Sequence, residues 1–169
     1  MIVGNKENFA IECYDDFIDT EKKYVFGRMC LWCSNISLGD IFEPSCMLNV
    51  TEGILLSFLE EKLNYEGAEL NNINDEEAFN LLSNKLYGVD KEISLEQVSR
   101  DMDEYYKYDF LTNGGESFDG YQSFIIKNNN TYRIIFRDSQ DKLYSSKVER
   151  PMLIEVINGF LQWVKQKKG

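Results

Sequence analysis

Apolar positions change period twice along this chain, and the changes divide it into three stretches. In the first stretch, alternation from Phe9 to Tyr14 predicts a strand with Phe9, Ile11 and Cys13 on one face. Asp15 to Glu21 reads as a polar connection. Tyr24 to Cys33, apolar on both faces, then reads as a strand central to a sheet. Asn35 starts a turn, and Ile36 to Leu38 returns before Gly39-Asp40 breaks the run.

The middle stretch carries helical spacing with start signals. Asn49 precedes a stripe of Leu55, Phe58, Leu59 and Leu63. Asn74, with Glu77 three residues on, precedes Ala78, Leu81, Leu82 and Leu86. Ser94, with Gln97 three residues on, leads to Val98, Met102 and Tyr105, and Thr112 to Gly115 closes the region. The last stretch alternates again. Tyr121 to Lys127 and Tyr132 to Arg137, joined by Asn128-Asn129-Asn130, predict a hairpin because Asn tolerates positive φ. A turn over residues 138–141 leads to a strand from Leu143 to Val148. Pro151 suits the first position of a helix with Leu153, Val156, Ile157, Phe160, Leu161 and Val164 as its stripe. Strands, then helices, then strands and a closing helix predict one α+β domain over residues 1–169. Its sheet should be mainly antiparallel, with the C-terminal helix packed on it.

Composition narrows the function. At 169 residues, 43% hydrophobic and 14% aromatic, the chain can bury a sizeable core. The longest apolar stretch, Ile54 to Leu59, is far too short to span a membrane. The apolar start reaches charge at Lys6, too soon for a signal peptide, so a cytoplasmic location is expected. There is no histidine, which removes the commonest general base, the commonest metal ligand and every Ser-His or Cys-His pairing. Cys30-Leu31-Trp32-Cys33 has the spacing of a zinc or redox pair. On a strand, however, residues three apart point to opposite faces, so buried, inert thiols are expected at Cys13, Cys30, Cys33 and Cys46.

Charge changes the picture most. From Glu52 to Asp119 there are 17 acids and 5 bases, whereas the rest of the chain holds 12 acids and 13 bases. Nearly the whole net charge of −11 therefore sits in the central stretch, and it points to a basic partner. The candidate contacts are Asp75, Glu76, Glu77, Asp101, Asp103, Glu104, Asp109, Glu116 and Asp119, with Tyr106 or Tyr108 as anchor. Asp101-Met102-Asp103-Glu104 is the densest carboxylate group. It lacks the alternate ligands and central Gly of a calcium loop, so it reads as a solvated helix face. Two alternatives stay open: an acidic adaptor or nucleic-acid mimic, and a metal-dependent phosphoesterase using Asp101, Asp103 and Glu104. Nucleic-acid binding is disfavoured, because the only basic run, Lys165 to Lys168, suits the negative end of the last helix.

Several short motifs resemble the immunity protein 42 family of bacterial polymorphic-toxin and contact-dependent inhibition systems. They are Ile2-Val3-Gly4-Asn5, Phe9-Ala10-Ile11-Glu12, Phe26-Gly27 with Cys30 and Trp32, and Gly39-Asp40. Ser123-Phe124-Ile125-Ile126 and the closing helix to Trp163 are compatible in layout, and the resemblance covers about half the chain. It implies a small cytoplasmic inhibitor that neutralises a cognate toxin by tight binding, with no catalysis, no cofactor and no metal. Gly4 and Gly39 then read as turns, and Phe9, Phe26 and Trp32 as core. Many such toxins are nucleases with basic clefts, which agrees with the acidic stretch.

Overall fold

A computed structural model gives the structure of the chain and describes residues 1–19, 21, 23–88 and 93–169. The fold is α+β, with two antiparallel sheets. The first sheet contains β1 (Ile2–Asn5), β2 (Phe9–Asp19), β3 (Tyr24–Cys33) and β4 (Ile36–Leu38) in that order, and β5 (Cys46–Met47) also pairs with β3. The second contains β6 (Gln122–Asn128), β7 (Thr131–Arg137) and β8 (Leu143–Glu149). The helices are α1 (Leu48–Ser57), which continues as a π-helical turn over Phe58–Lys62, α2 (Asp75–Tyr87), α3 (Leu95–Tyr105) and α4 (Arg150–Lys168).

The alternation of β2 and β3 does what the sequence predicts. Phe9, Ile11 and Cys13 join Val25, Met29, Leu31 and Cys33 on one face, where α1 and α4 cover them. From α4 come Leu153, Val156, Ile157, Phe160 and Val164, all buried. The polar connection expected from Asp15 is instead the second half of β2 (Thr20 lies outside the described residues). A bulge between Asp15 and Phe17 shifts the register there. Phe17 thereby shares the outer face with Phe26 and stacks on it, centroids 4.4 Å apart and rings 8° from parallel. The bulge breaks the two-residue period, which is why the stretch reads as loop.

The second sheet is buried on both faces. Ile125, Tyr132, Ile134, Phe136 and Val148 face the core shared with α1 and α4. Phe124, Ile126 and Ile135 face α2, where Ala78, Phe79 and Leu82 meet them. Asn129 and Asp141 take positive φ, 54° and 62°, at the two turns of this sheet.

Helix starts follow their caps in two cases. Asn74 accepts from the Glu77 amide at 2.9 Å while Glu77 accepts back from the Asn74 amide at 3.2 Å, a complete capping box. Ser94 accepts from the Gln97 amide at 3.2 Å. The Asn49 signal is off by two residues. Met47 occupies the cap of α1, and Asn49 uses its side chain between elements instead, accepting from the Val25 amide at 2.8 Å and donating to Glu52 at 3.0 Å. Gly4 is no turn either. It sits inside β1 at φ 93°, where an added Cβ would lie 2.4 Å from the Phe9 carbonyl.

Candidate partner-binding surface

The acidic stretch folds into α1, α2, α3 and the segments joining them, but its carboxylates are put to different uses. Asp101, 5% exposed, points inward to α2. Lys85 donates to its two oxygens at 3.1 and 3.3 Å and Gln97 donates to Oδ1 at 2.8 Å. Asp109 is also buried, and Tyr87 donates to it at 2.7 Å. Burial raises the Asp109 carboxyl above its ordinary value, against the hydrogen bonds from Tyr87 and Thr112 and the nearby Lys62 charge. Neither Asp101 nor Asp109 is offered to a partner. Buried carboxylates need partners of their own, and the fold supplies them.

Asp75 is half committed. Its Oδ1 takes Arg133 at 3.2 Å and its Oδ2 takes Ser145 at 2.5 Å, tying the start of α2 to the second sheet. Glu77 is spent on the capping box. Glu116 is exposed, but accepts from the Met47 amide at 3.2 Å beside the first sheet, and Asp119 lies exposed just after it. That leaves Glu76 on α2 and Asp103 and Glu104 on α3 exposed without an ion pair among the described residues. Of the candidate rings, Tyr106 is exposed and Tyr108 is buried, its hydroxyl donating to the Glu66 carbonyl at 3.1 Å. Tyr108 is therefore no surface anchor. The carboxylate set imagined for a metal comes apart in the same way, because Asp101 turns in while Asp103 and Glu104 turn out.

Two acids outside the candidate set join this surface. Glu66 and Glu69 line a cavity of about 430 Å³ with Glu104, over a floor of Leu70, Ile73 and Leu81. Tyr105 and Tyr108 line it too, as does one cation, Lys107, 5.2 Å from the Tyr108 ring centre. Burial raises both phenols, and the Glu104 carboxylate adds to the shift in each. The negative field here thus comes from acids separated by nearly forty positions in sequence, which only the chain's return past Leu70 brings together. Glu66 also takes an ion pair from Lys127.

A second polar group was not legible as a unit. On the first-sheet face turned away from α4, Glu12 accepts from Lys6 at 2.5 Å, Tyr14 at 2.7 Å and Trp32 Nε1 at 2.8 Å. Burial works against the Glu12 charge, but these three donors outweigh it and hold the carboxyl below its ordinary value. Lys6 lies over the Trp32 ring at 4.2 Å. Trp32 and Phe26, expected as core, are only half-buried on this outer face, while Phe9 is core. The available signal was parity. Glu12 and Trp32 both fall on the face opposite Ile11 and Leu31.

All four thiols are free and buried, and burial pushes Cys13, Cys30 and Cys33 up to about 12. Cys30 shares the Glu12 face, whereas Cys33 belongs to the core on the other side of β3. Among the described residues no helix is long and apolar enough to cross a membrane.

Exposed carboxylates, the exposed Tyr106 ring and a cavity lined in part by Leu70, Ile73 and Leu81 thus lie on α2, α3 and the segments beside them. Among solved structures, CdiI from Burkholderia dolosa AUO158 is similar to this chain at a TM-score of 0.66, 18% identity and coverage of 96% of this chain and 99% of that one. At that identity the likeness is one of fold. No curated protein sequence matches. The model of the immunity protein 42 family, by contrast, matches residues 1–163, so the chain belongs to that family.

Proposed function

We propose that this member of an immunity protein family neutralises a cognate toxin domain, a nuclease with a basic cleft, by binding it through the acidic α2–α3 surface. The observation carrying the reading is that Glu69, Glu76, Asp103 and Glu104, on α2, α3 and the segment before them, are exposed without an ion pair among the described residues, in a chain whose central stretch holds nearly all the net charge. Carboxylates spaced over a surface compete with phosphate for a basic groove. Complementary charge also speeds encounter, toward roughly 10⁸–10⁹ M⁻¹s⁻¹ at low salt. Fast capture matters to an inhibitor that must reach a toxin before damage accumulates. Tyr106, exposed just past the end of α3 with Lys62 over one side of its ring, adds an aromatic contact.

The test uses the toxin domain encoded beside this chain. Reversing Glu76, Asp103 and Glu104 to Lys should lower kon by about tenfold or more at low ionic strength and flatten its dependence on salt. An unchanged rate with an unchanged slope removes the acidic surface from the mechanism. Retained nuclease activity with saturating wild-type chain present removes neutralisation itself.

A further inference from the structure

We propose that α3 presents Leu95, Val98 and Met102 as the apolar anchor of the complex, seated in an apolar recess of the toxin that is rimmed by Lys and Arg. This rests on the binding reading above and states where its affinity lies. Helix α3 is packed inside out. The side chains it turns toward the rest of the protein are Gln97, Asp101 and Tyr105, and its only buried residue is Asp101. Leu95, Val98 and Met102 are left 88%, 45% and 37% exposed. Their spacing of three and then four residues puts them in one stripe. Tyr106, four residues on and exposed, follows it past the end of the helix, with the Lys62 ammonium 4.0 Å from its ring centre, and Ile93 is exposed just before the helix. Single exposed apolar residues are ordinary, but a continuous apolar stripe on a surface helix marks an interaction site.

Charge selects the occupant. Glu96, Asp103 and Glu104 stand on the same helix, all exposed. The helix's one cation, Arg100, is drawn to Glu96 at 3.6 Å. A second copy of this chain would bring the same acids face to face across a twofold axis, which is repulsive. An anionic lipid surface is repelled likewise. A protein surface with an apolar centre and a basic rim meets both parts of the stripe.

The division of labour is then kinetic. Acids govern arrival, and the apolar stripe governs departure. The experiment measures kon and koff of the full chain on the neighbouring toxin domain by surface plasmon resonance, with the Leu95→Ser/Val98→Ser/Met102→Ser variant. A rise in koff of about 100-fold or more, with kon within about threefold of wild type, is the expected result. The corresponding triple Ala variant keeps helix-forming residues at all positions and should move koff in the same direction, so a folding failure of the Ser variant does not end the test. A folded triple variant with koff within about threefold of wild type overturns the anchor while leaving the binding reading in place. A wild-type chain that dimerises, and loses its dimer in the triple variant, overturns it in favour of a second copy. A wild-type chain that does not bind the toxin at all overturns the binding reading and this proposal together.

Discussion

Helices α3 and α4 carry the same kind of amphipathic spacing and meet opposite fates. In α4 the stripe of Leu153, Val156, Ile157, Phe160 and Val164 is buried between the sheets and beside α1. In α3 the stripe of Leu95, Val98 and Met102 faces water and a carboxylate faces in. The space beside α2 that could have received α3's apolar side is taken by the Lys85–Asp101–Gln97 network. An apolar stripe therefore says which residues share a face. It does not say whether that face meets the chain's own core or another molecule.

Stability should separate the two helices most. Phe160→Ala removes a fully buried ring and should cost about 3–5 kcal/mol in urea unfolding, whereas Leu95→Ala should stay within about 0.5 kcal/mol. A large loss at Leu95 would mean that the stripe supports the fold. The two carboxylates Asp101 and Asp103 of α3 should differ by less. Asp101→Ala strips Lys85 and Gln97 of their acceptor and should cost about 1–2 kcal/mol, less than a fully buried pair because Lys85 is partly open to water. Asp103→Ala, two residues on and exposed, should be neutral within about 0.5 kcal/mol.

The smallest effect is a difference in pH dependence between two buried carboxylates. The Glu12 carboxyl is held below its ordinary 4.5, so its contribution is present above the unfolded value and is lost as pH falls through the folded one. Glu12→Gln should lose stability at neutral pH and converge on wild type in acid. Asp109 is raised above its ordinary 3.8 by burial, so its ionisation costs stability as pH rises from the unfolded value through the folded one. Asp109→Asn, which keeps an acceptor for Tyr87, should therefore gain stability at neutral pH and lose that gain in acid. Urea midpoints from pH 3 to pH 7 check both signs, and parallel profiles for the two variants would refute the assignment of opposite shifts.

Much of the fold was legible because local rules and packing agree there. The Asn74–Glu77 capping box, the Asn129 turn and the α4 stripe all stand where local chemistry places them. Legibility failed where one element departs from its period or where partners are distant in sequence. The bulge at Asp15/Phe17 hid half of β2. Asn49 looks like a cap, yet serves a strand amide twenty-four positions away. The candidate surface was legible as charge but not as geometry. Glu69 and Glu104 meet across one cavity, while Asp101 and Asp109 withdraw from the surface altogether.

Periodicity and net charge belong to the chain, so the α+β class, the acidic centre and the side chains that share each helix face are readable before any folding. Which carboxylates stay without an ion pair among the described residues, and which apolar stripe remains in water, emerge only on folding. Both depend on distances between segments, and a one-dimensional pattern does not contain those distances.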